Sequence, residues 1–359
     1  MGATEFLTGN ALTNHRWTTS LAVEAAVNQF LRKFMGSDFN KMIRILKDLN
    51  KNAGDKITYG LRMKLTGDGV EGDNQLEGTA AEEALSFYSD NVFISQRRKG
   101  TKSKGQMSEQ RIPYNILKEG KEALAIWFGE DYDQQIFMYL AGNRGVATSG
   151  WHFPIGWTGR ASNTIAAPDT AHQIYAGDAK AQADLDEADV MSLQVVEKCI
   201  SQAETTDPMI QPFMDEGELK FILLMHTWDQ HNLRISSSSG DWQDLTKNAR
   251  ERTSKNPIWL NSLGEYAGVI MHKHRNVIRP TSTVSRSLFL GAQAAVIAWG
   301  GSQISENSRN RFSMHVETDD RGNQVAVSAA SIYGISETTF NSKRFGMIAV
   351  DSYCTDPNS

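Results

Sequence analysis

The chain has 359 residues, of which 40% are hydrophobic and 22% charged, and these fractions exclude disordered, collagenous and low-complexity classes. Lys and Arg number 37 against 42 Asp and Glu, a net charge of -5, so this is no wholesale basic nucleic-acid coat, although a local basic patch is compatible with it. Two cysteines, Cys199 and Cys354, far apart and in no ligand spacing, exclude a disulfide framework and point to synthesis in a reducing compartment.

The length allows about two domains or one elaborate one. The most apolar stretch, LFLGAQAAVIAW from Leu288 to Trp299, is too short for a bilayer, which takes about 20 residues. MGATEFLTGN has neither a basic start nor an apolar run, so no signal peptide is expected, and the chain is expected to be soluble and made in a cytoplasm.

Residues 1–19 read as a polar arm. Ser20 can cap a helix whose stripe is Val23, Val27, Phe30, Leu31 and Phe34, stopped at Gly36. FNKMIRILKDL, Phe39 to Leu49, reads as a second, basic helix. Over residues 55–112 the period changes to two: Ile57, Tyr59, Leu61, Met63 and Leu65 alternate with polar residues. A Gly- and acid-rich stretch, GDGVEGDNQLEG, leads to a second extended run, ALSFYSDNVFISQ. Together these predict a projecting β-hairpin whose polar connection has no core of its own. Pro113 opens the clearest helix, with Leu117, Leu124, Trp127, Phe128, Ile136, Phe137 and Leu140 on one face as far as Gly142-Asn143. Residues 145–184 read as irregular, and a third helix is expected from Asp186. Strands and short helices then alternate: Leu219–Met225, Trp242–Arg252, Tyr266–His272 and Leu288–Trp299. The end is β-rich, Phe312–Thr318 and Val325–Ile335 flanking DDRGN, with a last strand at Gly346–Asp351.

No motif specifies a reaction. Gly67, Gly69 and Gly72 match G-x-G-x-x-G, but Asp68, Glu71 and Asp73 would repel phosphate and no helix start follows. Those acids also lack the spacing of an EF-hand. His226, His231, His272 and His274 are the candidate metal ligands, and nothing in their spacing forces them together. No nucleophile elbow or P-loop is present. The densest charge cluster is Arg97, Arg98, Lys99, Lys102 and Lys104, expected to close the second hairpin strand and to stay flexible at Gly100 and Gly105. Its positive field suits a protein contact, a polyanion or plain solvation.

Seven segments in order carry a resemblance. They are ITYGLRMKLTGDGVEGDNQLEG with ALSFYSDNVFISQ, KGQMSEQRIPYNI, DPMIQPF, FILLMHTWDQHNLR, NPIWLNSLGEYAGVIMHKHRNV, SLFLGAQAAVIAWG and FGMIAVDSY. Through them the chain resembles the major capsid proteins of tailed bacteriophages, of the podophage type with the Hong-Kong-97-like fold. The resemblance implies an α+β fold. Residues 1–54 would be an N-terminal arm with helices and 55–112 an extended loop lying over a neighbouring subunit. Residues 113–199 would be a peripheral domain with a spine helix at 113–142, the segment 145–185 matching the family least. Residues 200–340 would be an axial domain interleaved with peripheral strands, and 341–359 a peripheral strand and tail. It further implies a structural, non-enzymatic protein without cofactor or metal, forming pentamers and hexamers of an icosahedral head. Portal and scaffolding partners are implied, a decoration protein is left open, and double-stranded DNA is enclosed non-specifically, with no membrane. Assembly would occur in the host cytoplasm and residence in the virion, with Arg97, Arg98, Lys99, Lys102 and Lys104 making contacts between subunits. A metal-dependent hydrolase using His226, His231, His272 and His274 is the alternative, and a nucleic-acid binder working through residues 97–104 is a third.

Overall fold

The computed structural model describes residues 24–47, 54–62, 65, 67–78, 81–84, 87–111, 113, 115–215, 217–237, 242, 257–301 and 312–358. In chain order the strands are β1 (Met35–Gly36), β2 (Ile43–Leu46), β3 (Lys56–Arg62), β4 (Phe87–Phe93), β5 (Ser95–Lys102), β6 (Gly159–Arg160), β7 (Asn163–Thr164), β8 (Gln173–Tyr175), β9 (Phe213–Asp215) and β10 (Glu218–Met225). They continue with β11 (Ser262–Tyr266), β12 (Val269–Lys273), β13 (Val284–Leu290), β14 (Ala295–Trp299), β15 (Phe312–Asp319), β16 (Gln324–Glu337), β17 (Thr339–Phe340), β18 (Lys343–Arg344) and β19 (Met347–Tyr353). The helices are α1 (Gln106–Gln110), α2 (Ile116–Ala141), α3 (Leu193–Thr205) and α4 (Thr227–Ser236).

The long helix expected from Pro113 is α2, which begins three residues later at Ile116. Asn115 caps it by accepting from the amides of Leu117 and Lys118, and Gly142, at φ 89, ends it. Its first half is amphipathic, whereas from Asp131 to Ala141 every residue is buried, so the single stripe read from the sequence understates the burial.

Two sheets pack against it. The seven-stranded sheet runs β11-β12-β10-β13-β19-β8, with β9 added to β10. One face, including Ile222, Leu224, Ile270, Leu288 and Ala349, joins the α2 core. The other, including Phe221, Leu223, Met225, Met271, Phe289 and Val350, packs on α3 and α4 through Val195, Val196, Cys199 and Leu233. Burial on both faces is why FILLM is a continuous apolar run rather than an alternation.

The six-stranded sheet runs β1-β2-β14-β16-β15, with β5 on β16. Behind β2 and β14, a smaller core of Leu46, Val296 and Ala298 receives Ile57, Tyr59 and Val92, which root the β3–β4 hairpin.

Four expectations change. Residues 43–46, read within a helix, form β2, because Ile43–Leu46 pairs in parallel with Ala295–Ala298 and tertiary pairing overrides helical periodicity. Leu288–Trp299 is two strands in different sheets, broken at Gln293, whose φ is 58. The third helix starts at Leu193 rather than near Asp186. The stripe ending at Gly36 is interrupted: residues 24–28 are α-helical, Phe30–Phe34 is a 3₁₀ turn, and Val27 is exposed. The last strand, β19, lies in the seven-stranded sheet between β13 and β8. The cap at Ser20 and all of Trp242–Arg252 except Trp242 lie outside the described residues.

The segment 145–184 wedges between hairpin and spine. The Asn163 side chain donates to the Phe93 carbonyl at 2.8 Å and accepts from its amide at 2.9 Å. Arg160 donates to the Tyr333 carbonyl at 2.6 Å, and Phe153 and Trp157 pack against the α2 core with their rings tilted by 35°.

Candidate functional site

The basic cluster lies on no hairpin strand: four of its five cations sit on β5, and Lys104 follows its end. Ser95–Lys102 pairs residue for residue with Tyr333–Ala326 of β16, and the hairpin's own second strand is β4. Gly100 serves this close pairing, since a Cβ there would stand 3.1 Å from both the Ser328 Cβ and the Val327 carbonyl oxygen. The five cations differ in role. Arg97 turns inward to Asp131 of α2, with Nη2 donating at 2.6 Å and Nε at 2.9 Å. Asp131 is fully buried and also accepts from Gln135 Nε2 and the Tyr333 hydroxyl, each at 2.7 Å. Beside it the Tyr132 hydroxyl donates to Ser331 Oγ at 2.9 Å. This network ties the spine helix to the six-stranded sheet, and its acceptors are filled, as a buried carboxylate requires. Lys99 lies over Trp127 at 5.4 Å, Lys102 pairs with Asp319 at 2.7 Å, and Arg98 and Lys104 are exposed. Arg98, Lys99 and Lys104 are therefore the members of the cluster best placed to meet another molecule.

The C-terminus of α2 is held by two buried arginines from distant strands. Arg286 of β13 donates to the Ala141 carbonyl at 3.1 Å, and Arg344 of β18 donates to that of Leu140. Both satisfy carbonyls that helix ends leave unpaired, and both place positive charge at the negative end of the helix dipole. Each has a carboxylate. Asp351 meets Arg286 bidentately at 2.7 and 2.8 Å, and Glu337 meets Arg344 at 2.8 Å.

The four histidines are not assembled as ligands. His274 is sandwiched between Phe30 at 4.5 Å and Phe137 at 5.2 Å. His272 lies 3.2 Å from Lys33 through Nδ1, His226 caps α4, and His231 is exposed on that helix. Burial holds His272 down to about 3 and His226 and His274 to about 4, the state of neutral packing groups. Among the described residues no group of three or more His, Cys, Asp or Glu is placed to hold a metal. Asp68, Glu71 and Asp73 lie in an exposed loop.

Sequence reading missed a fourth buried carboxylate. Asp133, buried in mid-helix, accepts from the amides of Phe30 at 2.6 Å and Leu31 at 3.1 Å and so docks the N-terminal 3₁₀ turn. The clue was DYDQQ, a polar run set between the apolar AIWF and IFMYLA of α2. Burial pushes Asp133 up to about 7, the two amides opposing it. The folded chain therefore keeps a proton that the unfolded chain releases near pH 4, and stability from this group falls as pH climbs to about 7. Urea unfolding of Asp133→Asn should show the variant gaining on wild type between pH 4 and 7, with no further change above. A difference independent of pH across that range would refute the assignment.

The surface of the seven-stranded sheet also carries exposed apolar side chains, Met209, Met214 and Leu219, beside a groove lined by Ile200, Pro212 and Phe221.

Comparison with known proteins gives these features a context. A family described as phage capsid protein matches residues 5–355. The major capsid protein of Pseudomonas phage KPP25 is 26% identical, over 94% of this chain and 95% of that protein. The capsid of Ralstonia phage GP4 superposes with a TM-score of 0.83 at 33% identity, covering 92% of each chain. The capsid of cyanophage Pam1 shares the fold, with a TM-score of 0.66 at 20% identity over 90% of this chain and 92% of that one. With sequence and fold both matched from end to end, this chain belongs to the phage capsid protein family.

Proposed function

We propose that copies of this chain close into an icosahedral head of pentamers and hexamers that encloses double-stranded DNA. Residues 200–340 would face the five- and six-fold axes, residues 55–112 would lie over a neighbouring subunit, and residues 113–142 would form the peripheral spine. Residues 1–54 would be the arm and 341–359 the closing strand and tail. Portal and scaffolding proteins would join during assembly in the host cytoplasm, and the chain would act without catalysis. The observation that carries this reading is the hairpin. Its root is buried in its own subunit, whereas in 67–78 every residue but Val70 is exposed. A segment with no core becomes ordered against a partner, and many weak contacts in a closed shell add up. The exposed Met209, Met214 and Leu219 supply a second surface of the kind that association covers.

Negative-stain electron microscopy of the protein, expressed alone and with its scaffold, tests the reading. Shells or rings of five and six are expected, and a monomer under both conditions would overturn it. The joint change Arg98→Glu, Lys99→Glu, Lys104→Glu should lower shell yield severalfold while the subunit stays folded. Wild-type yield would remove the basic strand from the interface.

A further inference from the structure

Three guanidinium groups surround one small cavity that the assembly reading does not use. The cavity, about 90 Å³, lies among Arg144, Arg275, Arg279, Trp151, His226 and Trp228, and no carboxylate lines it. Arg144 follows the spine helix, Arg275 and Arg279 follow β12, and His226 and Trp228 begin α4. The arginine-bearing segments are bound together: the Gly145 amide donates to the Arg279 carbonyl at 3.0 Å. A Cβ at Gly145 would stand 1.8 Å from the Pro280 carbonyl oxygen, so this approach needs glycine.

Arg144 is only 7% exposed, and of its three guanidinium nitrogens only Nη2 has a partner, the Phe153 carbonyl. Nε and Nη1 are buried without one, as is Nε of Arg279. Trp151 lies 4.6 Å from the Arg144 guanidinium and Trp228 4.2 Å from that of Arg279, so aromatic faces orient both forks. Of the neighbouring acids, Asp229 and Asp356 act on Arg279 through charge alone, and Glu130 stands at the rim. Asp229 accepts from Ser285, Ser287 and Ser352, and Glu130 reaches Arg275 only at 3.5 Å. Buried donors of a charged group without acceptors are costly, and a guanidinium fork matches two oxygens of an oxyanion. The volume holds a few water-sized groups, which excludes a base or a sugar.

We propose that this cavity binds one phosphate-class oxyanion, as free phosphate or as a phosphate of nucleic acid. The proposal is independent of shell formation.

The test is thermal unfolding and calorimetric titration of the full chain with inorganic phosphate, ionic strength being held constant with chloride. A saturable rise in melting temperature in phosphate alone is expected. Affinity should fall at least about tenfold in Arg275→Gln, where the loss of one charge-assisted contact is read at a side chain 66% exposed and harmless to folding. It should vanish in Arg144→Gln and be unchanged in the surface control Lys118→Gln. If Arg144→Gln does not fold, Arg275→Gln and Arg144→Lys decide. Displacement of phosphate by a DNA duplex would identify a phosphodiester as the occupant, and phosphate binding that DNA does not displace would identify the free ion. Equal responses to phosphate and chloride, or wild-type affinity in Arg275→Gln, would overturn the proposal. Phosphate binding without shells would leave this site standing while the assembly reading fell.

Discussion

Asp351→Ala should destabilise the subunit by about 3–5 kcal/mol, the loss expected when one partner of a buried ion pair is removed and the other charge stays behind. Arg286 would keep its place under the end of α2, with one donor on the Ala141 carbonyl and two facing nothing. Gln173, which donates to Asp351 at 2.9 Å, would lose its acceptor as well. Since domains are stable by only about 5–15 kcal/mol, much of the expressed variant should be unfolded or aggregated. The pair replacement Asp351→Leu with Arg286→Met should recover part of the loss, because it leaves no charge buried alone. Urea unfolding of both variants measures this. An Asp351→Ala protein within about 1 kcal/mol of wild type would show that the pair contributes little to the helix end.

Neighbouring cations on β5 should respond in opposite ways. Arg97→Glu sets a second carboxylate against buried Asp131, removing a partner and adding like-charge repulsion. A loss of at least about 3 kcal/mol is expected, although Arg97 itself keeps 24% exposure. Arg98→Glu, one residue on and exposed, should stay within about 0.5 kcal/mol. Melting temperatures of the two single variants decide the matter, and equal values would dissolve the distinction between clamp and surface. It follows that shell-yield experiments on this strand need Arg97 left intact.

What was legible in the sequence is what local periodicity encodes. Period two announced the hairpin, the runs flanking DDRGN announced the β15–β16 ladder, and Pro113, the apolar face and Gly142-Asn143 announced α2. The family became recognisable because seven such segments stand in one order. Long-range pairing was hidden. FNKMIRILKDL satisfies a helical period, and its Ile43–Leu46 forms a strand because β14 offers an edge. The basic cluster looked uniform because charge is visible in a sequence and direction is not, and only the register of β5 against β16 sends Arg97 inward. The arginine cavity was illegible for the same reason, as Arg144 stands more than a hundred residues from Arg275 and Arg279, and one backbone hydrogen bond, Gly145 to Arg279, joins the two segments.

The arginines that close α2 also set a timetable. Their bonds to the helix end span 145 and 204 residues of sequence. At about 5–20 residues per second, a ribosome needs on the order of 10–40 s to cover the longer span, so the most buried helix waits for its C-terminal end to be finished until Arg344 has been made. Contacts this distant also slow folding after release. An interrupted translation product would carry the helix and the hairpin but neither arginine, and would enter the pool of subunits without a completed spine. Synthesis as far as Arg344 is thereby built into the stability of the subunit, before any second copy is met.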